Sequence, residues 1–384
     1  MRNVRGTMLA VLAVGLTACS SGSTTSAPSS STTAAPGSTP ASTTKSQSDC
    51  DASYLAKLTT RQKLAQLLTV GVTGTADATN IVRTEQVGGI FIGSWTDQAM
   101  LTNHQVAQVE AVSKAPLMVT IDEEGGRVSR LKNLIGAVPP ARSIPQTMTA
   151  DEYYTKSLAR GKAMKALGIT ADLAPDADVS DEDADSVIGD RSFSNDPAVV
   201  ISYAGAFIRA MHDAGLGAVM KHFPGHGHGS GDSHTGAVHT PPLAQLQNND
   251  LVPFRKLIGS GAAVMVGHLD VPGLTTPNVP ASISPQAMAL LRKGTGYNAQ
   301  PFDGPIMTDD LGGMAAISKR MDIEDAVAAA LEAGADNALW TTSTAVPQVL
   351  DKLEQEVRSG RLPMDRVNAS VLRMVKFKGV TPHC

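Results

Sequence analysis

Aromatic residues are scarce in this chain, 4% of 384 residues. That disfavours an aromatic-lined β-sandwich, and with 35 Gly and 22 Pro the composition reads as a loop-rich α/β fold. There is no long basic run and the formal net charge is −4, so nothing points to nucleic acid as a partner. The apolar run at the start, Met8 to Leu16, is too short to span a bilayer as a mature helix. Cysteine is rare too: Cys19, Cys50 and Cys384 are the three present. What the chain does have is apolar mass, 42% of its residues, enough for one large core.

The short apolar run follows Arg2 and Arg5, which is the order of a signal peptide. It ends in Leu16-Thr17-Ala18-Cys19, which resembles the lipobox of bacterial lipoproteins, where the cysteine carries the lipid. The expectation is a signal peptide over 1–18 and a membrane anchor on Cys19, on the outer face of the membrane. An ordinary cleaved signal peptide is the alternative. Residues 19–49 are almost all Ser, Thr, Ala, Pro and Gly, too poor in large apolar side chains to offset ordering entropy, and read as a flexible tether. The folded part is expected over 50–384. In an oxidising compartment Cys50 and Cys384 could close it into a large loop; two unpaired thiols are the alternative.

Short β-branched runs alternate with helix-length amphipathic stretches. Strands are expected at Leu67–Val72, Gly89–Ile92, Leu117–Asp122, Thr170–Ala174, Ala218–His222, Ala263–His268, Pro305–Asp309 and Asn337–Trp340. Several are continuous apolar runs, as parallel strands covered on both faces should be. Helices are expected at Thr102–Val112, Ala150–Leu167, Pro197–Ala214, Pro242–Ile258, Ile323–Ala333 and Val346–Arg358. This alternation points to a single-domain (β/α)₈ barrel, with an open doubly wound sheet as runner-up. Polar residues gather where the strands end: Asp122, Asp172, Asp176, Lys221, His222, His268 and Asp309. That is the face on which barrel enzymes carry their chemistry.

The segment Lys221–His234, KHFPGHGHGSGDSH, sets His222, His226, His228, His234 and Asp232 among glycines. Such a loop can position side chains as a zinc site, as an acid–base pair of Asp232 and His234, or as a plain polar surface. Its spacing matches no common helix-borne zinc motif.

KHFPGHG, four residues, then DSH resembles the signature of the bacterial β-N-acetylglucosaminidases of glycoside hydrolase family 3. Four more segments resemble that family in order: Ile121–Arg130, Asp172–Val179, Gly189–Phe193 and Met307–Leu311. The resemblance implies that Asp309 is the nucleophile, with Asp310 the fallback, and that His234 is the acid/base with Asp232 as its partner. It implies that Asp122, Arg130, Arg191, Lys221 and His222 bind sugar. Arg127 is expected in an ion pair with Glu123 or Glu124, and His268 can line the pocket. His226 would shape the loop, while His228 and His239 are expected in solvent. Glu123 stands where an uncharged or amide residue is more usual.

The implied activity is a retaining exo-β-N-acetylglucosaminidase acting on cell-wall saccharides that contain N-acetylglucosamine. It would be a monomer and use no metal or organic cofactor. A phosphorylase that replaces water by phosphate, a β-glucosidase, and a sugar-binding lipoprotein without turnover are the alternatives.

Overall fold

The computed structural model describes residues 46–384. The expected signal peptide, the lipidation site Cys19 and the tether up to residue 45 lie outside the described residues.

Eight parallel strands close into a barrel: β1 Leu68–Val72, β2 Gly89–Ile92, β3 Met118–Ile121, β4 Ala171–Asp172, β5 Gly217–Phe223, β6 Ala263–Val266, β7 Ile306–Asp310 and β8 Asn337–Trp340. Each pairs with its neighbour in sequence, and β1 closes on β8 through Leu68–Ala338, Thr69–Leu339 and Val70–Trp340. The expected (β/α)₈ architecture is therefore present, and the open sheet is excluded. Strands β1, β2, β3, β6 and β8 are buried along their whole length, because side chains fill the barrel on one side and helices cover the other. Among the described residues no helix is long and apolar enough to cross a membrane.

Helix boundaries follow local chemistry. Pro197–Ala214 begins behind Asp196, whose carboxylate accepts from the Ala198 amide at 2.8 Å, and stops at Gly215 with φ of 77°. Two expected helices are broken. Thr102–Val112 is two short helices, Ala99–Thr102 and Val106–Glu110, separated at His104, whose φ is 52°. Pro242–Ile258 divides into Leu243–Leu246 and Leu251–Leu257. Pro253 has no N–H to give, so it is tolerated only in a first turn, and the helix restarts just ahead of it. The expected strand Thr170–Ala174 narrows to Ala171–Asp172 before Pro175. Helices at Thr60–Ala65, Thr75–Glu85, Pro285–Lys293 and Met364–Phe377 were not anticipated.

The tether boundary at 49 needs correction, since a helix spans Gln47–Ala56. Ser46 and Asp49 form a capping box at its start, with Asp49 donating its amide to the Ser46 side chain and accepting from the Ser46 amide. This helix carries Cys50, which is bonded to Cys384 at 2.03 Å, so the large loop is closed. Gln47 also donates to the Pro382 carbonyl at 3.2 Å.

The disulfide spans 334 residues, and restricting so long a loop in the unfolded chain should contribute about 2–4 kcal/mol. The double variant Cys50→Ser, Cys384→Ser should unfold several degrees below the parent in a thermal melt. Equal midpoints would show that the unfolded chain gains nothing from the crosslink.

Candidate active site

The end of β5 supplies Lys221 and His222, and every other charged group of the site is arranged around them. Asp122 follows β3 directly, Asp309 sits in β7, and Glu124 lies in a small antiparallel ribbon, Glu123–Gly125 with Val128–Ser129. The segment after β4 runs beside β5, with the Ala177 amide donating to the Lys221 carbonyl at 2.7 Å, and so delivers Asp176 and Asp178. The turn Gly189–Arg191 brings in Arg191. Arg142 holds this turn by donating to the carbonyls of Ser180, Gly189 and Ser192.

Lys221 Nζ lies 2.6 Å from both Asp122 and Glu124. Arg191 clamps Glu124 with two hydrogen bonds, 2.8 and 2.9 Å, and reaches within 3.6 Å of Asp176. Burial works against the Lys221 charge, but Asp122 and Glu124 hold the ammonium well above the usual lysine range. Burial likewise pushes Glu124 up, and Arg191 and Lys221 override it, keeping the carboxylate far below its usual range. Asp176 and Asp178 go the other way: burial raises both, and for Asp176 the neighbouring Asp178 adds to it.

His222 is the hinge between these charges and Asp309. Its Nδ1 is 2.7 Å from Asp178 and its Nε2 is 4.0 Å from Asp309. Burial, then Arg191, lowers its pKa to about 4, so the ring is neutral near pH 7. Nδ1 then donates to Asp178, and Nε2 takes the Arg191 contact at 3.4 Å as acceptor. For Asp309, burial favours the neutral acid. The rings of His222 and His268, the Asp310 amide and Lys221 outweigh it and hold the carboxyl below its ordinary value. Asp310 faces elsewhere: its oxygens accept from the Gly312 amide and the Thr341 hydroxyl, both at 2.9 Å.

Asp122, Arg191, Lys221, His222 and Asp309 thus form one buried or half-buried cluster. Arg130 stands at its edge, 3.9 Å from Asp122. Asp232 and His234 form their own pair: Asp232 accepts both the His234 amide at 2.9 Å and Nδ1 at 2.8 Å. His234 is 61% exposed, and among the described residues no hydrogen bond or ion pair joins this dyad to Asp309. The dyad loop is nevertheless moored to the segment after Asp309. The Ala316 amide donates to the Ser233 carbonyl at 3.0 Å, and Lys319 donates to the Thr235 carbonyl at 3.1 Å.

Several expectations are corrected. Arg127 pairs with Asp190 at 3.0 Å, because Glu123 and Glu124 are already occupied. Glu123 points away from the cluster: it accepts from Ser129, the amides of Arg130 and Leu131, and Arg160. It builds the loop that carries Arg130. His268 does not offer a free nitrogen to a pocket, since Nδ1 meets Ser282 at 2.7 Å and Nε2 meets the Asp310 carbonyl at 2.8 Å. His228 is not in open solvent. Its Nδ1 is 2.8 Å from the buried Asp250, with Asp181 at 3.8 Å. His239 is 60% exposed, as expected. Gly227 packs so closely on residues 179–180 that a Cβ would lie 1.9 Å from the Val179 carbonyl oxygen, which fixes the stem of the dyad loop.

Glu124, Asp178 and His228 are the members that sequence spacing did not single out. Alternation gave one usable signal: Asp122 and Glu124 are two apart on an extended segment and share a face. Asp176, Asp178 and His222 place ligand atoms within 4.8 Å of one another, the only such trio among the described residues. A cation there would face the Arg191 guanidinium and compete for the His222–Asp178 bond, so the donor set suits a metal poorly.

The family model for the glycosyl hydrolase family 3 N terminal domain matches residues 59–377. Beta-hexosaminidase LpqI of Mycobacterium tuberculosis is 51% identical over 98% of this chain and 97% of its own. A crystal structure of a family 3 glycosyl hydrolase from Mycobacterium smegmatis superposes with TM-score 0.83 and 56% identity, over 85% of this chain and 99% of that one. A family 3 β-N-acetylglucosaminidase from Paenibacillus gives TM-score 0.78 and 33% identity, over 84% and 62% of the two chains.

The His228 clasp has a definite pH signature. The Asp250 hydrogen bond, opposed by burial and aided by the charges of Asp250, Asp181 and Glu182, raises the His228 pKa above its ordinary value. A raised folded value means that the stabilisation is complete below the unfolded pKa, about 6.5, and is lost as pH rises through the folded pKa. The melting midpoint of His228→Gln should therefore fall below the parent's at pH 5.5, and the gap should narrow by pH 9. A gap independent of pH would remove the ionic part of this account.

Proposed function

The chain belongs to glycosyl hydrolase family 3, and from that premise we propose that it is a retaining exo-β-N-acetylglucosaminidase. Its substrates are cell-wall saccharides that end in β-linked N-acetylglucosamine. The observation that carries this reading is the pairing of an anionic Asp309 beside a neutral His222 with a preformed Asp232–His234 dyad. The relatives named beta-hexosaminidase and β-N-acetylglucosaminidase support the sugar preference.

The chemistry divides into two displacements. In the first, an Asp309 oxygen forms a bond to the anomeric carbon while the glycosidic C–O bond breaks. His234 gives its Nε2 proton to the departing oxygen. Asp232 already accepts from Nδ1, so it fixes the ring and steadies the imidazolium before transfer. In the second, His234 takes a proton from water, the hydroxide oxygen bonds to the anomeric carbon, and Asp309 leaves. Two inversions give net retention. The exposed dyad must come in over the bound sugar, and the glycines at 229, 231 and 236 give its loop that freedom. Asp122, Arg130, Arg191 and Lys221 hold the terminal sugar by charge-assisted hydrogen bonds, and the neutral His222 adds to the same pocket wall.

Phosphorolysis is the second reading. A histidine acid/base puts no carboxylate against the incoming group, so phosphate meets less repulsion than it would beside a second Asp or Glu. We further propose a monomer carrying a lipid on Cys19, held at the outer face of the membrane, with no metal or organic cofactor.

Release of 4-nitrophenol from its N-acetyl-β-D-glucosaminide tests the proposal. Asp309→Ala should lower kcat by about three orders of magnitude or more while the protein still folds. Proton NMR should show the β-anomer of N-acetylglucosamine as first product. Initial α-anomer would refute retention, and a rate that needs phosphate, with sugar 1-phosphate as product, would establish the phosphorylase. Cleavage of the β-glucoside alone would overturn the N-acetyl preference.

A further inference from the structure

Among the described residues one large apolar side chain is exposed: Trp95, at 46%. It stands on the catalytic face. Ile92, the last residue of β2, is the register partner of Ile121, the last residue of β3. Gly93 therefore runs beside Asp122, and Trp95 lies two residues further along the loop, in a turn that closes back on Gly93.

The indole is held in place. It folds back over Gly93, where a Cβ would fall 2.4 Å from the ring, and its centroid is 5.9 Å from that of Phe91. Thr96 locks the turn by accepting from the Gly93 amide at 3.0 Å and donating to the Val72 carbonyl at 2.6 Å. The Asp97 amide donates to the Thr73 carbonyl at 2.9 Å. Gln98 donates to the Arg130 carbonyl at 2.9 Å, tying the turn to the loop whose Arg130 side chain approaches Asp122. One part of the ring system is thus packed, and the rest is presented to solvent without further ordering cost.

We propose that Trp95 is the stacking platform for the leaving group, the sugar ring on the reducing side of the scissile bond. A pyranose shows an apolar face of C–H bonds, and a rigid indole offers a broad apolar, electron-rich face at small entropic cost. The charged groups at the strand ends match the hydroxyls of the terminal sugar, whereas Trp95 offers an apolar face on the neighbouring loop after β2, which suits the next ring. A single indole beside the exposed Ser94 is too small for a protein interface. This inference rests on the glycosidase reading above, and its test separates the two.

Trp95 and Trp340 are the two tryptophans of the chain, and Trp340 is buried. Iodide quenching of the full-length protein therefore reports Trp95. In the Asp309→Ala variant, a β-1,4-linked N-acetylglucosamine disaccharide should shield Trp95, and N-acetylglucosamine alone should not. In the otherwise native enzyme, Trp95→Ala should raise KM for the disaccharide about tenfold and leave inhibition by N-acetylglucosamine unchanged. Trp95→Phe should recover part of the loss. Equal shielding by the monosaccharide would place the indole in the terminal sugar's own site and sink the proposal. An unchanged KM in an active Trp95→Ala enzyme would sink it too, while sparing the glycosidase. Shielding by the disaccharide in a protein that cleaves no glycoside would uphold the platform and overturn the glycosidase.

Discussion

Two cations share one buried carboxylate. Glu124 receives Lys221 at 2.6 Å and both arms of the Arg191 fork, and the pocket is organised outward from there. Lys221 carries the order on to Asp122, and Arg191 carries it to Asp176 and His222. Removing Glu124 would leave two buried cations facing each other, which is why a residue that need touch no substrate controls the site. The arrangement still holds more carboxylates than cations. Asp176 and Asp178 respond by favouring protonation, and His222 stays neutral. Glu124 and Asp309 are the members whose surroundings favour the anion against burial, and in the proposed mechanism Asp309 is the nucleophile, which has to be an anion.

The barrel was legible in the sequence because several of its strands are continuous apolar runs spaced by helix-length stretches, and β3, β4 and β7 end in or beside a carboxylate. The helices were less so. Met364–Phe377 keeps Val367, Val371, Met374 and Val375 at helical spacing and could have been read. The breaks at His104 and ahead of Pro253 are different. A left-handed residue and a missing N–H matter only once the neighbouring turns are fixed in space.

The site divides in a similar way. Residues at strand ends (Asp122, Lys221, His222, Asp309) could be located because the barrel itself brings them together. The pairing of Asp232 with His234 is local, two residues apart, and needs no fold to form. Partners joined across the chain could not be seen: Arg127 finds Asp190, Glu123 finds Arg160, and His228 finds Asp250. Glu123 and Glu124 are neighbours of identical chemistry. The alternation of an extended segment sends one into the loop scaffold and the other into the pocket.

The bond between Cys50 and Cys384 turns the folded part of the chain into a covalent ring. Within that ring β1 and β8 are also zipped together, so the barrel has no free end at which peeling could start. A protease that cuts one surface loop opens the ring without separating it into pieces. Both fragments stay on one molecule, with the β1–β8 seam still in register. A barrel built this way can tolerate one nick as a change of connectivity, where an open chain would lose a segment.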